Sequence, residues 1–270
     1  DSIYFGADTF NARIFASNFT INDIKKVIIY AKLRGVKTYL TLNTLIKDDE
    51  FSQAISLAQK AYEFGIDGII VQDSGLATKL ISLFPDLPIH GSTQMTVHNL
   101  NGALELQELG FKRIVLAREL STNEIDYICK NTKIEIEIFI HGAQCISYSG
   151  QCLFSSLIGG RSANRGKCAA PCRLPFKLLE NDKCINSGYL LSTKDLCGLK
   201  YIPTLISSGV KCFKIEGRMK NAEYVATVTR IYRKYIDLAL SNQEYEIDEK
   251  ELKELMQVFN RGMYSPGHLD

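Results

Sequence analysis

The sequence predicts an α/β fold built on a parallel sheet, in its fullest form a TIM-like (β/α)8 barrel with a cysteine-rich insertion. Three observations lead there. Short runs rich in Val, Ile, Leu and Tyr alternate with amphipathic helices along most of the 270 residues. The strands are near-continuously apolar, as in a parallel sheet covered on both faces. One phrase also recurs, a helix end closed by glycine and followed by an apolar residue: Gly35-Val36, Gly65-Ile66, Gly110-Phe111 and Gly209-Val210. Glycine suits the left-handed position that closes a helix, where a Cβ is disfavoured.

Taken in order, strands are expected near 3–5, 37–42, 68–71, 88–91, 113–116, 135–140 and 212–216. Helices are expected near 21–34, 51–64, 74–83, 99–109, 122–131 and 221–240. Ser121-Thr122-Asn123-Glu124 has the form of a capping box, and Thr20 with Asp23 is a weaker version. Val225, Val228, Ile231, Tyr232, Tyr235 and Ile236 lie on one stripe of the 221–240 segment, which is helical periodicity. Seven strands are visible and a barrel needs eight, so a further strand and helix are expected ahead of Asp1. An open doubly wound sheet is the alternative. The barrel is assigned to 1–240, incomplete at its N-terminus, with the insertion at 142–211. A C-terminal helical extension follows at 241–270, where Leu252, Leu255, Met256 and Phe259 form a short apolar stripe.

With 46% hydrophobic and 23% charged residues, the composition excludes a disordered or coiled-coil protein. A formal charge of +2 advertises no global field for nucleic acid. No apolar run approaches the roughly 18 residues of a membrane span, so no membrane insertion is expected. There is no signal-peptide pattern either, and a cytoplasmic location is expected. Of 8 cysteines none precedes Cys129 and seven fall between Cys145 and Cys212. Such clustering points to metal or redox chemistry before core packing. Cys129 and Cys212 are most simply buried small hydrophobes.

The long connection between the strands at 135–140 and 212–216 leaves the C-terminal end of a strand, the face on which barrel active sites are built. It holds Cys145, Cys152, Cys168 and Cys172 in a Cys-x6-Cys-x15-Cys-x3-Cys pattern. Four thiolates suit an iron–sulfur cluster or zinc. Reduced cysteines with packing roles are the third possibility. Arg161, Arg165, Lys167 and Arg173 place four positive charges and no negative one between 161 and 173. They suit phosphates of RNA or carboxylates of a small ligand, against the plainer reading of a solvated loop. Tyr148 and Phe154 suit base stacking or packing of the insertion. Lys214, Glu216 and Arg218 alternate to one side of the last strand, towards the interior or rim. Glu216 and Arg218 are therefore candidate catalytic residues, or an ion pair that closes the barrel.

His141 ends its strand near Cys145 and is a third catalytic candidate, or a satisfied turn histidine. Glu137, mid-strand in an apolar context, needs a partner; His141 and Arg118 are candidates, as is a purely structural role. Asn43, Gln72, Asp73, Gln94 and Glu119 follow strands and would form a polar ring at the mouth, with Asn43 and Gln94 as substrate-binding candidates.

The segment Glu137 to Ser155, with His141-Gly142-Ala143, Cys145 and Ser149-Gly150-Gln151-Cys152, resembles the signature of the collagenase-like peptidase family (peptidase family U32). Tyr4-Phe5-Gly6 with Arg13, Asn43-Thr44-Leu45, Gln72-Asp73, Ser92-Thr93-Gln94-Met95, Ala117-Arg118-Glu119, Leu191-Ser192-Thr193-Lys194-Asp195 and Lys214-Ile215-Glu216-Gly217-Arg218 look like further family blocks. The resemblance covers nearly the whole chain. It implies an iron–sulfur enzyme that hydroxylates an RNA base without molecular oxygen, most specifically a tRNA wobble uridine, with a ribosomal cytidine as the other target. It also implies prephenate as a possible cosubstrate. Carried over by position, Cys145, Cys152 and Cys168 are ligands of a 4Fe-4S cluster, and the fourth is Cys172, with Cys184 or Cys197 as substitutes. A peptidase is the alternative, although no His-Glu-x-x-His or Gly-x-Ser-x-Gly is present. A non-catalytic partner in a quinone or RNA modification complex is the other, which would add a protein partner to the RNA.

Overall fold

The computed structural model describes residues 1–241 and 243–270. In chain order the elements are β1 (Ser2–Gly6), α1 (Ile21–Lys32), β2 (Lys37–Leu42), α2 (Asp48–Glu63), β3 (Gly68–Val71), α3 (Ser74–Leu83), β4 (Ile89–Gly91), α4 (Leu100–Glu108), β5 (Arg113–Val115), α5 (Thr122–Asn131), β6 (Glu135–Gly142), α6 (Phe154–Gly159), β7 (Phe176–Glu180), β8 (Lys183–Gly188), β9 (Asp195–Cys197), α7 (Ile202–Ser207), β10 (Cys212–Ile215), α8 (Ala222–Leu240), α9 (Glu249–Val258) and β11 (Tyr264–Ser265).

The fold is α/β with a mostly parallel sheet. Strands β1 to β6 pair each with the next, all parallel, and β10 pairs parallel with β6. Laid flat, seven strands at ~4.8 Å spacing would hold β1 and β10 about 29 Å apart. Instead the Tyr4 hydroxyl of β1 donates to the carbonyl of Ile215 in β10 at 3.2 Å. The sheet therefore curls until its first and last strands face one another. Among the described residues no backbone ladder joins β1 to β10, and the eighth parallel strand of a full barrel is not among them. Through His141 and Gly142, β6 also pairs antiparallel with β9, which carries β11.

The helices form where the periodic stripes demanded them. Ser121 and Glu124 close a reciprocal cap on α5, and Thr20 caps α1. Buried faces such as Ile24 and Ile28 of α1, Leu76 and Leu80 of α3, and Val228, Ile231, Tyr232 and Tyr235 of α8 join the strands in one continuous core. No described helix is long and apolar enough to cross a membrane.

The connection from β6 to β10 contains two parts. The cysteine loops, α6 and the β7–β8 hairpin lie outside, and most of the hairpin's residues are exposed. From β9 onward the chain rejoins the core through buried Leu196, Leu199, Ile202 and Leu205. The 241–270 segment supplies α9, packed on α8 by Leu255, and also β11, so its last part belongs to the sheet.

The space enclosed by the strands is charged. Lys214 of β10 lies 2.6 Å from Glu137 of β6, and Arg113 of β5 reaches the same carboxylate at 3.5 Å. Burial alone would raise the Glu137 carboxyl, and these two cations outweigh it and hold it low. Glu137 is thus partnered by Lys214 and Arg113; it neither orients His141 nor receives Arg118.

Candidate functional site

Above that buried pair, the C-terminal ends of the strands converge. The loop after β1 brings Arg13, β5 leads into Arg118, and β10 leads into Glu216 and Arg218. The nearest terminal nitrogens of Arg13 and Arg118 each stand 3.8 Å from Glu216 Oε2. Glu216 is buried, and its Oε1 has no hydrogen-bond partner. Burial would raise its carboxyl, but Arg13, Arg218, Arg118 and Lys214 together pull it down to about 2. Arg118 lies flat on the Phe139 ring, 4.1 Å from its centre, and is pushed below the usual arginine range by burial. Arg218 donates to Thr41 Oγ1 at 3.3 Å and leaves its buried Nε unpartnered. The chamber thus holds three guanidinium groups around one carboxylate, with donor capacity unspent.

The polar ring expected at the mouth forms in part. Asn43 accepts from the Ala12 amide at 3.0 Å and contacts Ser92, while Gln94 donates to the Asn43 carbonyl at 2.7 Å. Gln72 reaches the Gln94 carbonyl at 3.4 Å, leaving its Oε1 buried without a partner. Ser149 donates to Glu119, whose other oxygen is also buried and unpartnered. Asp73 serves the scaffold, capping α3 and accepting from the Ile46 amide.

The cysteine loops sit on this rim. Gly150 has φ +76 and its Cα faces the Gln94 backbone so closely that a Cβ would collide with it. Gly166 has φ +78 and is pressed in the same way on the Asn11 carbonyl. Only glycine meets both demands, and the two contacts fasten the segments bearing Cys152 and Cys168. Cys172 is raised by burial, and Cys145, Cys168 and Cys152 add to that rise while Arg173 opposes it. Cys172 is thus close enough to each of the other three to feel its charge. Ser149, in the loop between Cys145 and Cys152, accepts from the Arg118 amide at 3.3 Å, which ties the cysteine loop to the arginine chamber. Cys184 stands exposed on β8, and Cys197 lies beneath Tyr232. Among the described residues no three His, Cys, Asp or Glu side chains converge as they would on one metal ion.

The remaining candidates separate into different environments. Arg173 binds the Gln144 and Thr193 carbonyls and the Ser192 and Thr193 hydroxyls, a clasp internal to the insertion. Arg165 pairs with Glu50 and donates to the Leu45 carbonyl, anchoring its loop to α2. Arg161 and Lys167 are exposed. Phe154 packs against Phe176, whereas Tyr148 is exposed.

His141 is 1% exposed and enclosed by Tyr224, Tyr232 and Tyr264. Its Nδ1 meets the Tyr232 hydroxyl at 3.2 Å, and burial lowers it to about 3, so it is neutral at ordinary pH. The pairing of Arg13 and Arg118 with Glu216 was not deduced from sequence. Its only signal is that an interior glutamate demands cationic company.

The family model of peptidase family U32 matches residues 1–270. The 23S rRNA 5-hydroxycytidine C2501 synthase of Escherichia coli is 41% identical over 245 residues, covering 90% of this chain and 37% of that protein. The tRNA hydroxylation protein P1 of Bacillus subtilis is 36% identical over 270 residues, covering 97% and 64%. A collagenase of Porphyromonas gingivalis is 36% identical over 289 residues, covering 100% and 68%. The chain spans 37% of the first of these relatives and 64% of the second.

Proposed function

This chain belongs to peptidase family U32, and on that premise we propose that it hydroxylates an RNA base without molecular oxygen, most specifically a tRNA wobble uridine. The observation that carries the reading is the seating of the cysteine loop on the buried arginine chamber, where Ser149, between Cys145 and Cys152, accepts from the Arg118 amide at 3.3 Å and donates to Glu119 at 3.2 Å. The names of two relatives, which modify rRNA and tRNA, support the same class of substrate.

Cys145, Cys152, Cys168 and Cys172 are the residues that would hold a 4Fe-4S cluster. The donor set fits such a group, being soft thiols alone. Zinc is the alternative occupant of the same thiols. When bound, the cluster supplies redox-active, Lewis-acidic iron at the rim of the chamber.

The chain's own residues set the rest. Glu216 stays ionised and holds Arg13 and Arg118 in place, while the excess of guanidinium groups makes the chamber a receptor for an anion. A carboxylate-bearing oxygen donor, prephenate in the reading proposed here, suits that charge. The buried, unpartnered oxygens of Gln72 and Glu119 can accept from the edge of a base.

The test is incubation of anaerobically prepared protein with tRNA and prephenate, followed by nucleoside mass analysis. A uridine one oxygen heavier, absent with Cys145→Ala, is the expected product. RNA left unmodified while gelatin is cleaved would replace this reading with the peptidase one. That alternative lacks a nucleophile–base pair: among the described residues no serine or cysteine is hydrogen-bonded to a histidine, and His90 and His141 are buried and lowered to about 3.

A further inference from the structure

Outside the arginine chamber, an aromatic ring stands on its rim without a structural use. Phe15 is 60% exposed, two residues along the loop from Arg13, which pairs with Glu216. Single exposed apolar residues are ordinary, but this one is held. The Asn18 side chain donates to the Arg13 and Ile14 carbonyls at 3.0 Å each, the Arg13 amide donates to Asn11 Oδ1 at 2.8 Å, and the Ala16 amide donates to the Arg13 carbonyl at 2.9 Å. The turn that presents Phe15 is therefore tied down on both sides.

A second loop supplies a cation to the ring. The Arg161 guanidinium lies 4.9 Å from the Phe15 ring centre, and its Nε donates to the Lys167 carbonyl at 3.1 Å, which fixes the side chain. The two loops are locked together by the close seating of Gly166 on Asn11. An exposed planar pair, aromatic ring and guanidinium, thus sits preorganised beside exposed Lys167. The stretch from 161 to 173 carries four cationic and no anionic residues.

We propose that Phe15 and Arg161 form a stacking platform for a base of single-stranded RNA next to the one entering the chamber, with Lys167 on its phosphate. Rigid π-faces with adjacent positive charge are how single-stranded nucleic acid is gripped without sequence readout. Charge decides the occupant: a polyanion with flat faces complements a ring, a guanidinium and an ammonium group, whereas an apolar protein surface would leave both cations unmatched. This inference rests on the RNA reading above and assigns it a site outside the chemistry.

The chain contains 0 tryptophans, so Phe15→Trp creates a single tryptophan at the platform, read without the tyrosines by excitation at the red edge of its absorption. Titration with a labelled single-stranded RNA of mixed sequence is expected to quench that emission to saturation. Anisotropy titrations should show Phe15→Ala binding roughly 5- to 150-fold more weakly, the range for losing one stacking aromatic, with Phe15→Tyr close to wild type. Phe15→Ala should leave the salt dependence of binding unchanged, and Lys167→Gln should lower its slope by about one. Equal RNA affinity for wild type and Phe15→Ala, or binding without quenching of the Phe15→Trp variant, overturns the platform and leaves the RNA reading standing. Absence of RNA binding by the wild-type chain at low salt overturns the RNA reading itself.

Discussion

Arg118 and Glu216 meet at 3.8 Å where β5 and β10 end, and neither is spent on the other. Arg13 shares the same carboxylate oxygen, the second oxygen has no partner, and the Arg118 amide donates to Ser149 of the cysteine loop. Glu216→Gln should therefore keep the fold and lose the arrangement. Removing one partner of a buried pair costs about 3 kcal/mol, less here to the extent that Arg13 is partly open to water. Because the folded carboxyl lies at about 2, below its ordinary value of 4.5, its contribution is complete above pH ~4.5 and is lost as the pH falls towards 2. Urea melts between pH 6 and 3 should show the wild-type advantage over Glu216→Gln constant at first and shrinking below pH ~4.5. An advantage that persists undiminished at pH 3 would remove Glu216 as its source.

His90 and His141 set a second pH dependence of the same sign at higher pH. Both are lowered to about 3 by burial. Unfolding lets each take up a proton below its ordinary value near 6.5, so stability falls with acidification from about pH 6.5. The slope approaches roughly 1.4 kcal/mol per pH unit for each histidine. Urea melts of His90→Gln at pH 7, 6 and 5 should show a shallower slope than wild type. An identical slope would mean that His90 takes up its proton in the folded state.

Tyr232 bolts α8 to the end of β6, from which the cysteine loop departs. Its hydroxyl donates to the Ile140 carbonyl at 2.9 Å, accepts from the Gly198 amide at 3.1 Å and meets His141 Nδ1. The Gly198 amide and Ile140 carbonyl keep their own bond at 2.7 Å, so Tyr232→Phe strands His141 Nδ1 alone and should cost about 1–3 kcal/mol, read as a lower urea midpoint at unchanged m-value. A loss within 0.5 kcal/mol would show that Nδ1 finds another partner.

Gly150→Ala and Gly166→Ala each force a Cβ into a left-handed residue and against backbone. Left-handed backbone alone costs about 1–2 kcal/mol. The expected outcome is a chain that still unfolds cooperatively but takes up far less iron on anaerobic reconstitution. Gly159, around which nothing lies within 4 Å, provides the control, and Gly159→Ala should reconstitute normally. Equal iron uptake by all three would detach the glycine contacts from the thiol patch.

What was legible in the sequence is what repeats or alternates. The seven parallel strands and the helices between them follow from apolar runs and glycine-closed ends, and Lys214 and Glu216 follow from the alternation of one strand. The β7–β8 hairpin was not expected, because both its faces are open to solvent and its apolar residues do not alternate. Its turn, Asn181-Asp182 with φ of +47 and +63, was the available signal. Strands β9 and β11 are too short to carry a period. The pairing of Arg13 and Arg118 with Glu216 joins residues far apart in the chain, and charge pattern alone does not match such partners. Arg165 and Arg173 belong to a basic run whose sequence hides that both are committed to internal contacts.

Metal content tests the central claim most directly. The chain and its Cys145→Ala, Cys152→Ala, Cys168→Ala, Cys172→Ala, Cys184→Ala and Cys197→Ala variants should be purified without oxygen and assayed for iron, sulfide and zinc. About four iron and four sulfide per chain are expected, lost or much reduced in the first four variants and retained with Cys184→Ala and Cys197→Ala. One zinc without sulfide, or iron that depends on Cys184 or Cys197 in place of Cys172, would contradict that claim.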